Sequence, residues 1–215
     1  MTEENLDTTK EEDDDLAEGE AIDEEKAEQD KPKKKTKKVL TPEEKDRKEF
    51  DKHLKVIFKN EGALADVEGD AGGLTKYGIT QRTLGSWLGR AASDNEVKGL
   101  TLRTAGDIYL KWYWSTPKVN RLPENLRLTY FDMCVHHGQG NAVRILQQAI
   151  NLRSRGSIPK VDEDGLIGKN TINNARGLEP DALRAQRLLF IANLVLKKPN
   201  QKKFYFGWYL RVINT

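Results

Sequence analysis

The chain has 215 residues, 33% of them charged and 37% apolar, which limits it to one or two ordinary domains, and no run of eighteen apolar residues offers a membrane span. Its formal charge of +2 averages three unlike regions: residues 1–30 hold 15 Asp or Glu against Lys10 and Lys26, KPKKKTKK adds six lysines over 31–38, and from Asp51 onward 25 Lys or Arg face 15 Asp or Glu. A remainder about ten charges positive favours a polyanionic partner such as nucleic acid, an anionic lipid surface or bacterial cell wall, while Cys134 as the single cysteine excludes an internal disulfide and any multi-cysteine metal site.

In chain order, the acidic arm has only Leu6, Leu16, Ile22 and a few alanines to bury. Burial on that scale does not offset the entropy of ordering, so residues 1–38 are expected to form a disordered arm with a lysine-rich linker. KPKKKTKK taken alone reads as a nucleic-acid or nuclear signal, but beside fifteen carboxylates it reads more simply as a linker that pairs with the arm, and no nucleic-acid partner is expected. The N-terminus lacks the basic start and apolar core of a secretory signal. Synthesis in a cytosol is therefore expected, with another route out if the protein acts outside.

Order is expected to begin at TPEEKDRKEFDKHLKVIFKNEG. Thr41 caps a helix there, Pro42 takes its first position, and Glu44 completes a capping box. Phe50, Leu54, Ile57 and Phe58 recur at helical spacing, and Gly62 ends the helix just after Glu61. A carboxylate at that end faces the negative pole of the helix dipole, which raises its pKa, a useful property in a general acid.

From Ala63 to Tyr77 the helical period disappears, and glycines at 69, 72, 73 and 78 predict tight turns in a small hairpin or irregular loop. Thr80 caps a short helix carrying Leu84, Trp87 and Leu88. Thereafter the pattern is helical. LTLRTAGDIYLKWYWS places Ala105, Ile108, Tyr109 and Trp112 on one face, ENLRLTYFDMCVHHG ends at Gly138, and NAVRILQQAINL follows at once. After a loop around SRGSIPKVDEDGLIG come KNTINNAR, EPDALRAQRLLFIANLVLKK and QKKFYFGWYLRVI. The expectation is a predominantly helical α+β fold of about seven helices with one small β element.

Three features carry chemistry. Glu61 lies at a helix end, Asp66, Glu68 and Asp70 lie on the following loop, and Thr75 and Thr80 come just after, so a helix and a turn-rich loop place two carboxylates on opposite walls of a cleft, as glycoside hydrolysis requires. The plainer reading is a polar glycine-rich surface loop. His136 and His137 are adjacent, point about 100° apart on a helix and do not form a metal pair; they read as cleft wall or helix-end hydrogen bonds. DEDG at 162–165 hints at a calcium loop, but Leu166 and Asn173 stand at ligand positions, so it reads as a turn. No metal or cofactor is expected. Trp112, Tyr113, Trp114 and Trp208 read mostly as core, with one or two facing sugar rings.

The stretch EGALADVEGDAGGLTKYGIT resembles the signature of the phage and bacterial muramidases of glycoside hydrolase family 108, Glu-Gly-Gly followed by Asp-Pro-Gly-Gly-x-Thr-x-x-Gly-Ile-Thr. AGDIYLKWYW is similar to the helix that follows it, FDMCVHHG to a Phe-Asp-x-x-Val-Asn-x-Gly segment and ILQQAI to a Leu-Gln-x-Ala helix. DEDGLIGKNTINNA through FGWYLRV resembles a peptidoglycan-binding region ending in Gly-Trp-x-x-Arg. Ala63 and Ala71 replace a glycine and a proline of the pattern. The resemblance implies a lysozyme-like fold with a catalytic region at 39–155 and a helical C-terminal region at 156–215 packed with it. It implies Glu61 as general acid, Asp70 as the second carboxylate and Thr75 as the residue that orients water, with Thr80 the second candidate for that role and Asp66 and Glu68 rivals of Asp70. The implied activity is N-acetylmuramidase, on peptidoglycan glycan strands, in a monomer released from a host cytoplasm or carried in a virion. Two other classes compete: a wall-binding or virion structural protein that keeps the fold without cutting, and a lytic transglycosylase.

Overall fold

The computed structural model describes residues 40–60, 74–154 and 160–215. The expectations for the arm at 1–38, for the stop at Gly62 and for most of the loop from Ala63 to Tyr77 lie outside the described residues. The rest is a predominantly helical α+β fold with one small hairpin.

Helix α1 spans Pro42–Asn60. Its start is the predicted capping box, with Thr41 Oγ1 accepting from Glu44 N at 3.2 Å and Glu44 Oε2 accepting from Thr41 N at 2.8 Å. Phe50, Leu54 and Ile57 are buried as the spacing requires. Strands β1 (Thr75–Lys76) and β2 (Ile79–Thr80) pair antiparallel, Thr75 opposite Thr80. Tyr77 and Gly78 connect them, with φ of 52° and 73°, the positive values that a two-residue type I′ hairpin needs at both central positions. Tyr77 adopts a conformation that costs a non-glycine residue free energy, and its surroundings hold it there: its carbonyl accepts from Tyr109 Oη at 3.3 Å, and its ring lies 6.5 Å from that of Phe58.

Helix α2 (Gln81–Leu88) starts on Thr80, whose hydroxyl accepts from Thr83 N at 3.1 Å. Helix α3 (Asp94–Lys98) follows with a complete Ser93/Glu96 capping box. Helix α4 (Leu102–Ile108) runs directly into a π-helical segment, Tyr109–Ser115. The widened turn replaces the i+4 partner by i+5, so Tyr109 and Trp114 are buried while Trp112 is only half-buried, a correction to the single face read from the sequence. A 3-10 turn at Val119–Arg121 leads to α5 (Glu124–His137).

Helix α5 is the centre of the molecule. Leu126, Tyr130, Phe131, Met133 and Cys134 are all buried, so it is enclosed on nearly every side. The rings of Phe50, Trp114 and Phe131 join α1, the π segment and α5 at 5.3–5.9 Å. At Gly138, φ 79°, the chain leaves α5 through a conformation that glycine adopts without strain, and α6 (Gln139–Ser154) begins at once. DEDG forms a turn, with Asp164 Oδ1 accepting from Leu166 N and Gln147 Nε2, both at 2.8 Å. Helices α7 (Lys169–Asn174) and α8 (Pro180–Lys197), a 3-10 turn at Pro199–Phe204 and α9 (Tyr205–Ile213) complete the chain. Helix α8 packs on both α5 and α6, and α9 packs on α8. The described residues thus contain nine α-helices, more than the seven expected.

Candidate active site

A cleft of about 580 Å³ opens at the C-terminal end of α1. Lys59 and Asn60 come from α1 and His136 from α5, with Lys203, Phe204 and Trp208 from the 3-10 turn and α9. Glu61 is the next residue after Asn60. Glu61 itself and Asp70, with Asp66 and Glu68, lie outside the described residues. Thr75 is described: it is the half-buried first residue of β1. Thr80 uses its hydroxyl to cap α2, a structural task that makes it the weaker candidate for holding water. The last turn of α1 and the hairpin meet in one aromatic cluster, where Phe58 lies 5.4 Å from Tyr109 and 6.5 Å from Tyr77.

Behind the cleft is a buried ionic cluster. Asp132 and Arg187 have no exposed surface, and Arg187 Nη2 donates to Asp132 Oδ2 at 2.6 Å. Arg211 donates to the same carboxylate from Nε at 3.0 Å, with its Nη2 2.9 Å from Oδ1. Asn60 Nδ2 donates to Asp132 Oδ1 at 3.4 Å. One carboxylate on α5 thereby ties together the end of α1, α8 and α9. Burial pushes the Asp132 carboxyl up, but Arg187 and Arg211 outweigh it and hold it below the usual carboxylate range. The cost of enclosing these charges is offset because the carboxylate receives hydrogen bonds from two guanidinium groups and an amide.

The two histidines complete the cluster. Arg187 Nε donates to His137 Nε2 at 3.0 Å, and Arg187 Nη2 lies 3.3 Å from His136 Nδ1. A guanidinium only donates, so both ring nitrogens accept, and the ring protons sit on His136 Nε2 and His137 Nδ1. Burial, with Arg211 and Arg187 nearby, lowers the pKa of His136 to about 4, and burial with His136 and the same arginines lowers that of His137 to about 2. Both rings are neutral near pH 7.

An unfolded histidine takes up its proton near pH 6.5, whereas the folded rings resist it down to about 4 and about 2. The unfolded state therefore binds more protons through this window, and stability falls as pH drops below neutrality. Asp132, with its depressed pKa, adds a further loss at still lower pH. Calorimetry should show Tm declining steadily from pH 7 to pH 4.5, with a shallower decline in His136→Asn. A flat profile would show that the rings are not held neutral in the fold.

Of the residues that build this site, the histidines were visible in the sequence and occupy the cleft wall and helix-end hydrogen bonds expected of them. Arg211 sits in the Gly-Trp-x-x-Arg tail. Arg187 carried no signal beyond being an arginine on an otherwise apolar helix, and Asn60 and Lys203 carried none.

Residues 54–138 match the family described as Glycosyl hydrolase 108. The structure of SagA from Brucella abortus is similar, with 33% sequence identity and a TM-score of 0.64, covering 78% of this chain and 91% of that one. No match is found among curated proteins. The fold and these similarities place the chain, at family level, among the glycosyl hydrolases. The chain belongs to the glycosyl hydrolase 108 family.

Proposed function

We propose that the protein is an N-acetylmuramidase that cuts peptidoglycan between N-acetylmuramic acid and N-acetylglucosamine. The observation that carries this reading is the family match over residues 54–138, because that span contains Glu61, the residue that follows α1 in the chain, and the whole segment that leads to Thr80. Glu61 donates a proton to the leaving glycosidic oxygen. Glu61 follows Asn60, the last residue of α1, and must hold its proton at working pH to act as the general acid. Asp70, ionised, stabilises the oxocarbenium-like transition state and with Thr75 holds the attacking water. Inversion at the anomeric carbon follows if that water fits between the two carboxyl groups, which requires a separation of roughly 6.5–9.5 Å.

The C-terminal helices serve the same site. Helix α9 supplies one cleft wall and, through Arg211, part of the cluster that fixes the end of α1. Residues 156–215 therefore act as part of the catalytic unit in this reading, with no separate wall-binding module needed to explain them. Purified protein incubated with bacterial sacculi should release new reducing ends in proportion to enzyme and time. Wall binding without any release would favour the non-cutting alternative.

A further inference from the structure

The cleft beside α1 has one wall whose chemistry is more particular than glycan binding in general. Phe204 is an apolar side chain left 46% exposed. Its ring lies 5.8 Å from that of Trp208 at an interplanar angle of 33°, so the two form a shallow shelf. Trp208 is braced from below by His136, whose ring meets it edge-on at 5.9 Å, and such a ring loses little freedom when a ligand stacks on it. Pyranose rings present a C–H face that covers aromatic surface of this kind.

Two cations flank the shelf. Lys203 holds its ammonium over the Phe204 ring, 4.9 Å from its centre, a cation–π contact from which a bound carboxylate would draw it, and Lys59 lines the cleft from α1. Gly207, between the shelf residues, also lines the cleft, and a Cβ placed there would meet nothing within 4 Å. A side chain at this position would therefore extend into the cleft.

Resting on the muramidase reading, we propose that Phe204 and Trp208 stack a sugar ring while Lys59 and Lys203 pair with carboxylates carried by the muramyl residue, so that this wall selects peptidoglycan over uncharged N-acetylglucosamine polymers. Those carboxylates belong to the peptide stem in intact strands and to the lactyl ether once an amidase has removed the stem. Aromatic contact supplies sugar affinity, and the lysines supply the discrimination.

The test measures binding in a Glu61→Gln background, where strands survive the experiment, using intact glycan strands, amidase-trimmed strands and chitin oligosaccharides. Lys59→Gln with Lys203→Gln should weaken binding of carboxylate-bearing strands by roughly three- to thirtyfold, the range for two partly exposed ion pairs, and leave chitin oligosaccharides unchanged. Loss confined to intact strands assigns the stem carboxylates, and loss confined to trimmed strands assigns the lactyl group. Gly207→Leu should weaken all three ligands with Tm unchanged or raised, since leucine favours a helix over glycine and the space is free. Unchanged affinity in the double variant, or equal losses on charged and uncharged ligands, overturns the proposal. If the wall binds strands as described but the Glu61-bearing protein releases no reducing ends from them, the inference stands as a binding site and the muramidase reading alone fails.

Discussion

Replacing Glu61 by glutamine is expected to lower peptidoglycan cleavage by on the order of a hundred- to ten-thousand-fold, the usual value of general acid help, with the melting curve and wall binding unchanged. Glutamine keeps the size and shape of the native side chain but has no acidic proton to give to the leaving oxygen. The effect should be specific to that position: Asp70→Asn should also be severe, whereas Glu68→Gln, read as a solvated turn residue, should be mild. The wild-type rate should fall as rising pH ionises Glu61 and again as falling pH protonates Asp70, so that the two limbs of the profile report the two carboxyls. A shift of the alkaline limb in a Glu61→Asp variant that retains some activity would strengthen the assignment. A folded Glu61→Gln protein that clears sacculi at near wild-type rate would remove this residue from the mechanism.

Asp132→Asn should have the largest effect on stability. The carboxylate is fully buried, and it receives both Arg187, itself fully buried, and Arg211. An amide of the same shape accepts a hydrogen bond but leaves two guanidinium groups without a counter-charge, and arginine does not shed its proton to escape. Removing one partner of a buried ionic cluster costs about 3–5 kcal/mol, a large part of the stability of an ordinary domain. Because Asn60 also bonds to Asp132, the variant should loosen the end of α1 and lose activity beyond what its unfolded fraction explains. Denaturant titration at pH 7 reads the first effect, and kcat per folded molecule reads the second. A loss below about 1 kcal/mol would mean that the arginines find other partners and that the cluster is not what holds the cleft together.

The elements that the sequence announced are those whose signals are local. The Thr41/Glu44 box, the Thr80 cap and the glycine after His137 each lie within a few residues of the helix end they define, and each appears where the spacing puts it. Helix α3 was not read from the sequence, although Ser93 and Glu96 stand at capping-box spacing, because five residues are too few to show an apolar period. The π segment was not legible, because a helical period of 3.6 was assumed across Tyr109–Ser115 and the burial of both Tyr109 and Trp114 follows a wider turn. The ionic cluster was hidden for a different reason. Asp132 is 55 residues from Arg187 and 79 from Arg211, and contacts across such distances are set by the packing of α5, α8 and α9. The chemistry-bearing segment shows the converse: Glu61, Asp70 and Thr75 drew notice through their spacing and their resemblance to a family, and their roles rest on that resemblance.

Hydrolysis of the muramyl glycosidic bond by this chain is best tested by mass analysis of the fragments released from purified sacculi. A muramidase releases disaccharide-peptides with an intact reducing muramic acid, one that incorporates oxygen from labelled water at its anomeric carbon. Fragments lighter by one water, ending in a 1,6-anhydro muramic acid and free of label, would contradict hydrolysis and make the protein a lytic transglycosylase.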